Sequence, residues 1–286
     1  ERNGLRTMQA KLTKPDGAEI SPVTVASSLR IAPPMIGLGL LEAIPEANLL
    51  ANADPDDLNG DHISGRPVWV EDEDGELRIG RFGWKSTTTS VLQQSADAYQ
   101  QDMGLTTATG PDSRLAADGK PADISWNELV GVAYYTQTLG SPATAKQASS
   151  KVVSRGTLIF DQLQCAKCHV PSQQTGFSPD AVAAVLNNQK IWPYTDLLVH
   201  DMGPGLDDGV AEEGISLSSE WRTAPLWGLG MTQPVNRGAG FLHDGRARTI
   251  DEAIRWHGGE ALQSKNDYLD LSEKHRKQLL SWLDQL

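Results

Sequence analysis

The sequence predicts a mainly α-helical protein in two halves, and three observations carry that expectation. Apolar residues recur at helical spacing from Ser90 to Met103, from Ser125 to Leu139 and from Val152 to Gln164. Helix punctuation sits where such segments should end, with Gly104 after the first and Gly140-Ser141-Pro142 after the second. A chain of 286 residues with 39% apolar residues fits one large domain or two of about 100 to 150 residues; two are expected.

Residues 1 to 80 are rich in Gly, Pro and Asp, with an apolar island from Pro34 to Leu41. They are expected to be mostly irregular with short helices. Ser125 and Glu128 have the capping-box spacing, so a helix should start there and carry Leu129, Val132, Ala133 and Leu139 on one side. Residues 141–150 are small and polar, as a linker between domains would be. Asp123-Ile124-Ser125 leads through Tyr135 to Leu139 with the same spacing as Asp270-Leu271-Ser272 through Trp282 to Leu286, as related halves or two ordinary amphipathic helices would.

Lys plus Arg total 25 against 37 Asp plus Glu, a net charge of -12, so nucleic acid would be repelled. No apolar run approaches the roughly 18 residues of a membrane span, and Glu1-Arg2-Asn3-Gly4 lacks a signal-peptide pattern. The expectation is a soluble, already processed chain.

Cysteine usage is the sharpest compositional fact. Both cysteines fall in Cys165-Ala166-Lys167-Cys168-His169, the C-x-x-C-H pattern of c-type haem attachment. Two thiols three positions apart can each add to a haem vinyl group, and the adjacent imidazole then falls under the iron. A thioredoxin-like pair does not need the following His, and structural zinc would need two further ligands where no more Cys exist. Haem c attached at Cys165 and Cys168 and ligated by His169 is therefore expected, and with it a periplasmic location, where such attachment occurs. The sixth ligand must come from His62, His200, His243, His257, His275 or a Met such as Met202. Separately, Asp57, Asn59 and Asp61 alternate as the first ligands of a calcium loop would, though His62 stands where Gly is usual. His275 lies on a basic terminal helix and should face solvent, most of the eight Trp should be core, and Arg222 and Arg246 are candidates for haem propionates.

Several segments together resemble a family: Pro33 to Pro45, Gly80 to Lys85, Tyr194 to Gly203, Glu220 to Gly228 and Leu242 to Ala247. They are similar to the bacterial di-haem oxidoreductases (peroxidase or thiol oxidoreductase-like) and, more distantly, to di-haem cytochrome c peroxidases. The resemblance runs from about residue 30 to the end. It implies a cytochrome c-like haem domain over 151–286, preceded in 1–140 by a family-specific region and the remainder of a second, related domain. In such relatives a His-Asp-Gly turn and a Thr-Leu-x-x-Ala-Val helix lead to a Met or Tyr sixth ligand. Here His243-Asp244-Gly245 and Thr249 to Ile254 lead to His257, which the resemblance makes the sixth ligand.

By the same resemblance Trp84 would relay electrons between two haems, while Gln94 and Asp102 would face a peroxide-binding iron. Lys85 for Asp and the shorter Asp102 for Glu depart from the pattern. The greater departure is that the family carries a second C-x-x-C-H, which this sequence lacks. The missing haem would lie on an upstream fragment or a separate subunit, serving a periplasmic haem peroxidase whose electron-transfer centre is this chain. The alternative is a mono-haem electron-carrier cytochrome c. Either way a redox partner protein is implied.

Overall fold

The computed structural model describes residues 13–15, 17–18, 26–72, 74–108, 121–142, 150–178, 183–212 and 214–286. The expected linker thus lies largely outside the described residues. The architecture is mainly helical: α1 (Leu38–Glu42), α2 (Glu46–Leu50), α3 (Val91–Asp97), α4 (Trp126–Gln137), α5 (Ser150–Gln162), α6 (Thr232–Val235), α7 (Ile250–Trp256), α8 (Leu262–Asp270) and α9 (Glu273–Leu283). Among the described residues three short antiparallel pairs interrupt them: β1 (Trp69–Glu71) with β2 (Leu77–Ile79), β3 (Gln173–Gln174) with β4 (Lys190–Ile191), and β5 (Val199–Asp201) with β6 (Glu220–Arg222). The strands are too short to leave a readable alternation in the sequence.

Helix starts follow local chemistry. At α4 the Ser125 hydroxyl accepts from the Glu128 amide while the Glu128 carboxylate accepts from the Ser125 amide, which completes the expected capping box. Ser90, Thr249 and Ser272 cap α3, α7 and α9 in the same single-sided way. The 90–103 segment is helical as its spacing predicts, but from Ala98 to Asp102 it widens into a π turn before Gly104 ends it at φ 68°.

Among the described residues three apolar cores form, the smallest of Val68, Val70 and Val199. The first joins Leu41, Ile44, Leu49, Ile79, Phe82 and Val91 to Ile191, Leu197 and Trp227, so the two halves share apolar packing. The second lies between α5 and the C-terminal helices and contains Ile159, Phe160, Leu163, Tyr268, Leu279 and Trp282. Phe160, Tyr194 and Trp282 meet edge to face there, with ring centroids 5.1 to 6.0 Å apart. The expectation that most Trp are core is corrected: Trp221, Trp227 and Trp282 are buried, whereas Trp69, Trp126 and Trp192 are exposed. Trp126 and Trp69 belong to helix and strand faces turned to solvent, which composition cannot reveal.

Gly156 marks the closest approach of α5 and α9, because a Cβ there would lie 2.1 Å from the Trp282 Cβ. Gly131 on α4 has open space around it. Gly156→Ala is therefore expected to lower unfolding free energy by about 1 to 3 kcal/mol through overpacking. Gly131→Ala should stabilise by up to roughly 1 kcal/mol through helix propensity. Urea midpoints of the two variants check this, and equal effects would contradict the packing account.

Candidate haem site

The attachment motif forms a tight helical turn from Cys165 to Lys167, entered through Gln164 at φ 61°. The chain then returns beneath it. The Thr195 amide donates to Val170 O and the Asp196 amide to Cys168 O, each at 3.0 Å, so residues 194–196 are stitched to the motif. Tyr194 and Leu197 are held at φ 54° and 61°, a left-handed conformation that costs a bulky residue about 1 to 3 kcal/mol and persists only when surroundings enforce it.

Burial pushes the Cys165 thiol up to about 12 and raises that of Cys168 as well. A reactive thiol pair needs the opposite shift. His169 is driven down to about 4, first by burial and then by the charge of nearby His257, and His257 is lowered, again chiefly by burial. Both imidazoles are thus neutral at pH 7, the form that ligates a metal. His169 Nδ1 donates to Tyr194 O at 3.1 Å, and His257 Nδ1 to Ala253 O at 2.9 Å. Such bonds fix the tautomer and leave each Nε2 as the free ligand atom.

The other candidate ligands have different partners. His62 is 92% exposed beside Asp57. His275 lies 3.2 Å from the Arg155 guanidinium. His243 stacks face to face on Trp221, centroids 3.7 Å apart. His200 is 3% exposed, with Nε2 2.9 Å from Asp196 and Nδ1 2.7 Å from Glu260, and its Nδ1 lies 3.6 Å from the Cys168 sulfur. Backbone contact brings Met202 close to His257's neighbours, since a Cβ on Gly258 would sit 2.9 Å from Met202 O. Gly258-Gly259 therefore serves close chain approach.

Arg246 donates to Asp244 and Gly205 O and lies 4.7 Å over the Trp256 ring, next to His257. The indole Nε1 of Trp256 is buried without a hydrogen-bond partner among the described residues. A guanidinium and an orphaned indole N–H beside the candidate ligand suit the acidic edge of a haem. Arg222 is instead interior, donating to Gly83 O and lowered to about 10 by burial. The thiols, the two free Nε2 atoms and this edge fit a c-type haem held by Cys165, Cys168, His169 and His257.

The remaining predicted residues are not gathered into one site. The Trp84 indole donates to Ile31 O at 2.7 Å, Gln94 accepts from Thr88 at 3.1 Å, and Asp102 is exposed at the end of the π turn. In the 54–63 loop, Asp57, Asn59 and Asp61 accept backbone amides from His62, Asp61 and Ile63, and Asp61 also pairs with Lys167 at 2.7 Å. Among the described residues no group of three or more His, Cys, Asp or Glu is placed to hold a metal ion. Sequence reading missed Asp196 and Glu260, which lie far from each other along the chain and meet only around His200.

Glu260 also accepts from the Ser64 amide and hydroxyl and the Asp201 amide. Burial would raise its carboxyl, but its bonds to His200 and Ser64 and the His200 charge outweigh this and hold it at about 2. His200 moves the other way: burial opposes protonation, and the Cys168 sulfur and Asp196 raise it well above the usual range. Glu260 thus contributes stability above pH about 4.5 that disappears as pH falls toward 2, about 3 kcal/mol in all. Glu260→Gln should cost about that much at pH 6 and almost nothing near pH 2. Urea unfolding across that range checks it, and a pH-independent cost would contradict it.

Among the described residues no helix is long and apolar enough to cross a membrane. No curated protein matches the sequence. Among solved structures, hydrazine synthase of Kuenenia stuttgartiensis, from crystals pressurised with xenon, is similar at 20% identity and a TM-score of 0.34, over 58% of this chain and 57% of that one. The chain spans little more than half of that relative. The family model described as "Di-haem oxidoreductase, putative peroxidase" matches residues 18–286, and the chain belongs to that family.

Proposed function

We propose that this chain is a periplasmic c-type haem oxidoreductase of the di-haem peroxidase type, whose own haem is the electron-transfer centre. The observation that carries the reading is the paired arrangement of His169 and His257. Each imidazole is neutral, each gives its Nδ1 proton to a backbone carbonyl, and each keeps Nε2 free. His169 and His257 would hold the haem iron through these nitrogens, and an iron so ligated would exchange electrons without binding peroxide. The haem supplies one-electron redox chemistry when bound; the chain holds it, keeps water from it and sets its ligands.

Peroxide chemistry then needs a second, open iron. The family is di-haem, yet the only two cysteines are those of the one motif. The second haem c is assigned to an upstream segment or a separate subunit, with Trp84 as the relay toward it and Gln94 and Asp102 on its side, Asp102 moving protons. Asp102's exposed position suits a group completed by another polypeptide. The single motif also favours one other reading, a mono-haem carrier that only passes electrons to a redox partner protein.

Replacing His257 by Ala should convert the haem from six-coordinate low-spin to five-coordinate or water-ligated high-spin iron, while His275→Asn leaves the spectrum unchanged. Absorption and electron paramagnetic resonance of the haem-loaded chain read this directly. A low-spin spectrum retained in the His257 variant would remove it as ligand. Peroxide-dependent oxidation of a reduced donor, measured with both haems loaded, separates the enzyme from the carrier.

A further inference from the structure

The departure at Lys85 has a structural sequel. Lys85 is 1% exposed, and its ammonium donates to Leu217 O and Ser218 O at 2.9 Å and to Glu220 O at 2.6 Å. That ammonium lies 3.7 Å from the centroid of the Trp221 ring, and the Arg30 guanidinium carbon lies 5.4 Å from it. Trp221 also carries the His243 imidazole, parallel within 3°. Trp84 belongs to the same knot: its indole donates to Ile31 O, the Ile31 amide donates to His243 O, and its own carbonyl accepts from the Arg222 amide. Two indoles therefore stand at the junction of the halves in different electrostatic settings. Each gives its N–H to a backbone carbonyl, Trp84 to Ile31 O and Trp221 to Leu206 O at 2.9 Å, but Trp221 has a fixed cation over its ring, whereas among the described residues no cation lies over Trp84.

Removing an electron from an indole leaves a radical cation. A buried ammonium at van der Waals distance stabilises the neutral ring by cation–π attraction and repels the oxidised one. A carbonyl accepting from the indole N–H acts in the other direction, but it does so at both indoles, so the ammonium is what distinguishes them.

We propose that Lys85 is a positioning residue that selects the oxidisable indole: its ammonium keeps Trp221 reduced and leaves Trp84 as the group that gives up an electron. The role of Trp84 rests on the relay reading above; the effect of Lys85 on Trp221 does not. In each event one electron leaves the indole for the oxidant and the radical cation releases its Nε1 proton to solvent water. An external reductant returns the electron and the proton is regained from water.

The test uses the full haem-loaded chain and a photogenerated ruthenium(III) tris-bipyridine oxidant, which takes one electron and becomes ruthenium(II), so no second haem is needed. Dioxygen traps the indole radicals, and peptide mass spectrometry quantifies oxygen adducts at Trp84 and Trp221, normalised to exposed Trp126. At pH 7 the wild type is expected to show adducts at Trp84 with little at Trp221. Lys85→Met should raise the Trp221 adduct at least about tenfold.

Should that variant fail to fold, the wild type itself supplies the same comparison. Lys85 is lowered to about 8 by burial, opposed by Asp208, Glu220 and Glu212 and assisted by Arg30; His243, pushed down to about 4 chiefly by burial, stays neutral throughout. Between pH 7 and 9.5 the cation is lost, and the Trp221 adduct should rise as in the variant. A Trp221 yield that is high in the wild type at pH 7, or that ignores both the substitution and the pH change, overturns the proposal. If Trp221 responds to Lys85 but Trp84 is never oxidised, the relay reading fails while the control of Trp221 by Lys85 stands.

Discussion

The hydrogen bonds that stitch residues 194–196 to the attachment motif are the constraint on which the rest of the site depends. Through them Tyr194 O reaches His169 Nδ1, and Asp196 reaches His200. The strained conformations at Gln164, Tyr194 and Leu197 flank this one crossing, as expected where surrounding structure forces the backbone to present ligands. The aromatic core of Phe160, Tyr194 and Trp282 backs it, with the Phe160 ring 6.3 Å from the His169 imidazole. Packing of α9 on α5 at Gly156 is thereby linked to ligand geometry.

A second layer closes the site from the first half of the chain. Glu260 joins His200 to Ser64, and Lys167 of the motif pairs with Asp61. Surface ion pairs such as the latter contribute little on their own. The buried carboxylate–imidazole–carboxylate chain is different, because removing one member leaves charge uncompensated in the interior. The 54–64 loop is thus a strap that anchors one half to the candidate haem site of the other. On this account the two halves do not fold as independent carriers, in keeping with a first core that draws Ile191, Leu197 and Trp227 onto α1 and α2.

Much of this was legible in the sequence, and the limits have physical causes. The capping box at Ser125 and the helix leading into Cys165 are local, and local spacing reports them faithfully. His257 is a candidate only through resemblance, since a His after a helix has no signature of its own; its different setting from His243 and His200 is a matter of tertiary partners. At Asp57, Asn59 and Asp61 the ligand-like spacing also makes amide-accepting turns, so spacing alone does not separate the two. Lys85 looked like a mismatch to a pattern, and only the fold reveals three carbonyls and an indole waiting for its ammonium.

The central claim is that two imidazoles ligate the haem of this chain. Low-temperature electron paramagnetic resonance and near-infrared magnetic circular dichroism of the oxidised, haem-loaded wild-type protein test it most directly. The account predicts the low-spin signature of bis-imidazole ligation with no thioether-to-iron charge-transfer band. A thioether band, placing Met202 or another Met on the iron, or a high-spin ground state would contradict it.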